Sequence, residues 1–125
     1  MVVRVDDVAA VDVAGRGQAL RREPVLGREG ANVNFVGPSD ESGLWLIRTY
    51  ERGVEGETLA CGTGTVATAA ALVWHGEAAF PVVLRSRGGL RLQVRGQLEA
   101  DLFSDIWLAG EGRLVYRGLW EILEP

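Results

Sequence analysis

The 125-residue chain carries 13 arginines and no lysine against 17 acidic residues, for a net charge of −4. That length holds one core and the composition is that of an ordinary globular domain, without the basic stripe and interleaved aromatics of a nucleic-acid surface. The missing lysine excludes an internal Schiff base to pyridoxal phosphate, and the single cysteine excludes an internal disulfide or a cysteine-cluster metal site.

Val2, Val3 and Val5 read as the end of a strand. Asp7 through Arg22 has a helical pattern, with Asp12 as a candidate N-cap, Val13 and Leu20 on a weak apolar face, and Pro24 as the stop. Gly15 and Gly17 weaken it. Ala31 to Val36 is a short strand closed by the turn cluster Gly37-Pro38-Ser39-Asp40. Leu44 to Glu51 alternates as a strand does, Leu44, Leu46 and Arg48 against Trp45, Ile47 and Thr49. Thr65 to His75 is a helix, apolar almost all round, and such a helix belongs inside a domain. Gly76 ends it in the C′ position.

Only strands follow. Phe80 to Ser86 leads into a Gly88-Gly89 turn; Leu90, Leu92 and Val94 alternate with Arg91, Gln93 and Arg95, whose arginines face solvent. Leu98, Ala100 and Leu102 continue the pattern, then Asp105 to Ala109, then Leu114 to Ile122. Trp45, Trp74, Trp107 and Trp120 read as core or sheet-packing residues. The expected fold class is α+β: one domain over residues 1–125, an antiparallel sheet or incomplete barrel wrapped around one central buried helix. The most apolar stretch, Val66 to Trp74, is far too short to span a bilayer. Met1-Val2-Val3-Arg4-Val5-Asp6-Asp7 lacks the basic-then-apolar order of a signal peptide. The expected location is the cytoplasm, with no membrane or nucleic-acid partner.

The chemistry gathers in Arg48-Thr49-Tyr50-Glu51-Arg52-Gly53-Val54-Glu55-Gly56-Glu57-Thr58-Leu59-Ala60-Cys61-Gly62-Thr63-Gly64. Gly62 and Gly64 bracket Thr63 where the apolar helix begins. Free N–H groups at a helix start seat a carboxylate or phosphate, and the same positive end favours the thiolate of a nearby cysteine. The only histidine, His75, lies at the other end of that helix, roughly 20 Å away at 1.5 Å of rise per residue. A Cys–His pair within the chain is therefore excluded, as is a histidine metal cluster; no metal site is expected.

This run resembles the second cysteine motif of the diaminopimelate epimerase family, Tyr-Glu-Arg-Gly-x-Gly-Glu-Thr-x-Ala-Cys-Gly-(Ser/Thr)-Gly, with one extra residue between Gly53 and Gly56. Ala31-Asn32-Val33-Asn34-Phe35-Val36 and Arg85-Ser86-Arg87-Gly88-Gly89-Leu90 resemble the family too, in its order. The resemblance implies a cofactor-free epimerase of diaminopimelate, in which one cysteine thiolate removes the α-proton and a second thiol delivers a proton to the opposite face. It implies two similar halves, each a barrel around a central helix, with the substrate between them. Carried over by motif, Cys61 is an acid/base residue, and Gly62 and Thr63 offer N–H groups to the α-carboxylate. Glu51 binds the reacting ammonium, and Asn34 and Arg52 recognise the distal amino-acid end.

The family's first half, with its own cysteine and an Asn-Pro-His stretch, has no counterpart here. The chain is therefore expected to be the C-terminal domain lacking its first strands, with a bare sheet edge. Its partner would be the missing N-terminal half, or a second chain, and its start a truncated or split gene product. Pairing of two copies face to face, a proline or hydroxyproline-type racemase, and a non-catalytic truncated module are the alternatives.

Overall fold

The computed structural model describes residues 1–120, and its strands are β1 (Val2–Arg4), β2 (Val33–Pro38), β3 (Leu44–Glu51), β4 (Gly56–Thr58), β5 (Val82–Ser86), β6 (Arg91–Glu99) and β7 (Leu102–Gly110). Two α-helices, α1 (Val13–Leu20) and α2 (Gly62–Trp74), and one 3-10 turn, Pro24–Leu26, complete the described fold. The strands form one open sheet in the order β1-β2-β3-β5-β6-β7. β2 lies along one edge of β3; along the other, β5 takes Leu44 to Ile47 and β4 takes Thr49 to Glu51. The α+β class holds, and the sheet is mixed: β1 runs parallel to β2, and β3 parallel to β5.

Alternation along β2 explains why the helices take opposite faces. Val33 and Phe35 join Val13 and Tyr50 in a cluster under α1, whereas Val36 joins Ile47, Leu72, Leu84 and Val94 under α2. Each fully buried aliphatic side chain contributes about 1.5–3 kcal/mol. Gly17, an apparent weakness in α1, is where the helix meets Tyr50: a Cβ there would sit 2.4 Å from the Tyr50 Cβ.

Several boundaries differ from expectation. α1 starts at Val13, not Asp7, because the Asp7 carboxylate accepts the Ala9 and Ala10 N–H groups at 2.8 and 3.3 Å and turns the chain. Asp12 does cap α1, accepting the Gly15 N–H at 3.0 Å. α2 begins three residues before Thr65, at Gly62, and Gly76 follows its C-cap with φ +72°. Ala100 does not continue a strand: with Asp101 it forms a two-residue hairpin turn, both at positive φ, between β6 and β7. Residues 114–120 are exposed and make no strand; Glu121 and Ile122 lie outside the described residues.

Among the described residues, α2 is covered on one side and open on the other. Thr65, Thr68, Ala69 and Leu72 are at most 2 % exposed, whereas Thr63 and Ala67 are exposed and Trp74 is 49 % exposed. Trp45 is half-buried, whereas Trp107, in the sheet opposite Arg95, and Trp120 stand in solvent, so the core placement fails for these two.

Candidate functional site

β4 was too short to be seen in the sequence, and it is the element that delivers Cys61. Three residues after it the chain enters α2 with Cys61 as N-cap, in extended geometry (φ −137°, ψ 112°). Cysteine here does what serine or aspartate does at other helix starts: its Sγ accepts the Gly64 N–H at 3.4 Å. Asn32 Nδ2 also donates to Sγ at 3.6 Å, and the Thr63 hydroxyl lies 3.5 Å away. The thiol is 8 % exposed. Below it, the Thr65 hydroxyl donates to the Cys61 carbonyl at 2.7 Å and the Thr68 hydroxyl to the Gly64 carbonyl at 2.8 Å, so both threonines sit in the core with their hydroxyl groups satisfied.

An open cleft of about 350 Å³ adjoins this helix end, walled by Met1, Asn32, Arg52, Thr63 and Ala67, with Asn34 and Gly64 also lining it. The N–H groups of Gly62 and Thr63 occupy the first turn of α2 and have no carbonyl one turn earlier to bond. They and the positive end of the helix form a seat for an anion. On the other side of the same turn, Gly62, Thr63, Val66, Ala67 and Leu108 enclose an apolar hollow of about 450 Å³. Gly64 has to be glycine: a Cβ would lie 2.2 Å from Asn34 Oδ1.

The structure brings Cys61, Gly62, Thr63, Arg52 and Asn34 to one end of α2 and leaves Glu51 outside the cleft. Asn34 is 2 % exposed and its amide is committed inward, Nδ2 to the Met1 carbonyl at 3.0 Å and Oδ1 from the Thr49 hydroxyl at 2.8 Å. It supports the cleft floor. The asparagine that faces the thiol is Asn32, whose Oδ1 accepts the Arg52 N–H at 2.8 Å; the sequence motif contained it, but nothing in the pattern separated the two. Glu51 is half-buried, accepts the Thr58 hydroxyl at 3.0 Å and does not line the cleft. Arg52 does line it, with its Nη1 on the exposed Glu29 carboxylate at 2.8 Å.

Burial pushes the Met1 ammonium below its ordinary value, and it donates to the Asn32 carbonyl at 2.8 Å. His75 caps the far end of α2, as its position implied. A second hollow, about 320 Å³, lies between Pro38–Trp45 and Glu77–Val82. Its two carboxylates, Glu41 and Glu77, are already paired with Arg91 and Arg4. Among the described residues no cluster of metal-ligating side chains occurs, and no helix is long and apolar enough to cross a membrane.

The family model described as diaminopimelate epimerase matches residues 1–102. The chain is 46 % identical to a diaminopimelate epimerase of Gemmatimonas aurantiaca over 94 % of its own length and 45 % of the relative's. It is 42 % identical to that of Aquifex aeolicus, over 94 % of this chain and 41 % of the relative. The corresponding protein of Flavobacterium psychrophilum is 38 % identical over 89 % and 43 %. The chain thus spans under half the length of these relatives. Among solved structures, a PhzF-family phenazine biosynthesis protein of Bacillus anthracis superposes with a TM-score of 0.55 at 17 % identity, over 86 % of this chain and 33 % of that one. One of Enterococcus faecalis gives 0.55 at 20 %, over 77 % and 33 %. These two likenesses concern the fold alone.

Proposed function

This chain belongs to the diaminopimelate epimerase family, and we propose that it supplies one acid/base thiol and part of the substrate cleft of an enzyme converting LL-diaminopimelate to meso-diaminopimelate without a cofactor. The observation that carries the reading is the placement of Cys61: its sulfur caps α2, whose free Gly62 and Thr63 N–H groups start the helix, beside an open cleft walled by Arg52 and Thr63.

In this reading the α-carboxylate of the substrate seats on the Gly62 and Thr63 N–H groups. When the Cys61 thiolate takes the α-proton, the electron pair left on carbon delocalises into that carboxylate, where the N–H groups and the helix end stabilise the growing charge. A thiol on the opposite face then donates its proton to the carbon and becomes the thiolate, completing inversion. In the reverse direction the two sulfurs exchange roles. Arg52 forks onto the distal carboxylate once Glu29 moves aside. Asn32 orients the thiol from the cleft wall, with Asn34 holding the floor beneath it. Glu51 reaches the reacting ammonium only after its side chain leaves Thr58.

In this reading the second thiol comes from the family's N-terminal half. Under this reading residues 1–125 are one domain, equivalent to the C-terminal domain of the family without its first strands, and the family's N-terminal half docks over the open side of α2. The enzyme works in the cytoplasm, in lysine and peptidoglycan-precursor synthesis. Arg52 in the cleft wall favours diaminopimelate over a ring amino acid such as proline, which has no distal carboxylate. The test is reconstitution: LL-diaminopimelate is incubated with this chain and a first-half polypeptide from a family member, and the meso isomer is measured. Formation of meso-diaminopimelate that disappears in Cys61→Ser supports the reading. Racemisation of proline instead, or epimerisation indifferent to Cys61→Ser, overturns it.

A further inference from the structure

The three-residue strand that leads to Cys61 is held from the opposite face of the sheet. Glu57 pairs in register with Tyr50, and both point to the α1 face, away from the thiol. Its side chain is only 10 % exposed and gathers two guanidinium groups. Oε1 accepts Arg48 Nε at 2.6 Å; Oε2 accepts Arg48 Nη2 at 2.8 Å and Arg87 Nη1 at 2.7 Å. Arg48 is in turn fixed by the chain before α1, donating through Nη1 to the carbonyls of Val8, Ala9 and Val11 at 3.1, 3.2 and 3.0 Å. Two residues past Glu57, the Leu59 carbonyl accepts the Gly88 N–H at 2.9 Å, next to Arg87. The loop before α1, the central strand β3 and the β5–β6 turn all converge on this one carboxylate.

We propose that Glu57 is a positioning residue for Cys61, setting where the thiol sits without touching substrate. The strand it anchors makes only three residue pairs with β3, too few to hold a fixed register unaided. Leu59 and Ala60, between the anchor and the thiol, are exposed, and the link is tied to the β5–β6 turn through the Leu59 carbonyl. With both ends of a four-residue link fixed, by Glu57 on one side and by the Gly64 N–H cap on the other, the sulfur stays at the helix end beside Asn32. Release of Glu57 lets β4 detach while the core under α2, built from other residues, stays closed. Arg48 survives the loss because its three carbonyl acceptors do not depend on Glu57. The bidentate geometry also explains why this position needs a carboxylate: an amide accepts through only one oxygen.

The test uses the whole chain and needs no substrate, so it stands apart from the question of which amino acid is epimerised. Glu57→Gln and Arg87→Met are compared with the parent by the rate of Cys61 alkylation with iodoacetamide and by amide hydrogen exchange at Gly64, Thr65 and Leu84. The expected result for E57Q is an alkylation rate raised about fivefold, with faster exchange at Gly64 and Thr65 and no change at Leu84. R87M, which removes one of the two arginines, should raise the rate about twofold. An unchanged alkylation rate in E57Q overturns the proposal, and so does equal acceleration at Leu84, which would mean general loosening. Should E57Q fail to fold, R87M carries the test, because Arg87 is half exposed and no part of the core; an unchanged rate there also overturns it.

Discussion

The two sides of α2 are made from similar residues and have opposite fates. On one, Ala69 and Leu72 pack against Ile47, Leu84 and Val94, and Thr65 and Thr68 return their hydroxyls to the helix backbone. On the other, Ala67 and Trp74 stand open, and Leu108 of β7, which pairs with the buried Val94 and lies beside Gly62, is 42 % exposed. A helix apolar all round is encoded to be covered all round. Among the described residues one side of α2 is covered, and the cleft beside Cys61 opens on the other. The thiol sits at the boundary between the two.

Substitutions on the two sides should therefore separate cleanly. The largest effect is expected from Leu72→Ala, which opens a cavity in the closed side and should cost about 2–5 kcal/mol in denaturant melts. Ala67→Glu on the open side should change the stability of this chain by less than about 0.5 kcal/mol, yet abolish reconstitution with a first-half polypeptide by placing a charge in the docking face. Equal destabilisation by both would erase the distinction. Asn34→Ala, which removes a buried amide with two partners, is expected to cost about 1–3 kcal/mol, and Asn32→Ala less than about 1 kcal/mol while altering the alkylation rate of Cys61. Asp12→Ala, far from either side of α2, should cost about 1 kcal/mol through the lost cap.

The smallest effect is a pH dependence remote from the cleft. The Gly53 N–H, and then Arg21 and Arg22, hold the Glu55 carboxyl below its ordinary value. A folded value below the unfolded one stabilises the fold above the ordinary carboxylate range, and that contribution is lost as pH falls through the lowered value. Glu55→Gln should therefore flatten the acid limb of the stability curve slightly, without touching the Cys61 alkylation rate.

The sequence was most legible where local pattern decides. Leu44 to Glu51 appears as β3 with the same ends, Asp12 caps α1, and Cys61 stands at the start of the apolar helix. It was least legible where neighbours decide. Gly56 to Thr58 is too short to show alternation and becomes a strand only because β3 offers it an edge. Asn32 and Asn34 are indistinguishable as a motif; Asn34 lies inside the β2–β3 ladder, bonded to Thr49, whereas Asn32 lies just before β2 and reaches the thiol. The helix pattern announced burial but could not say which side of α2 the described residues leave open. Leu114, Val115 and Tyr116 likewise carry a strand-like run, yet they find no strand to pair with among the described residues.

The most direct test of the central claim, that Cys61 at the helix end is the base, is proton exchange in D₂O. LL-diaminopimelate is incubated with the reduced chain and a first-half polypeptide, and loss of the α-proton signal is followed by NMR. The account predicts exchange that vanishes in Cys61→Ser while the variant keeps its fold and still docks the first half. Exchange that continues at the parent rate in the folded Cys61→Ser complex would contradict it.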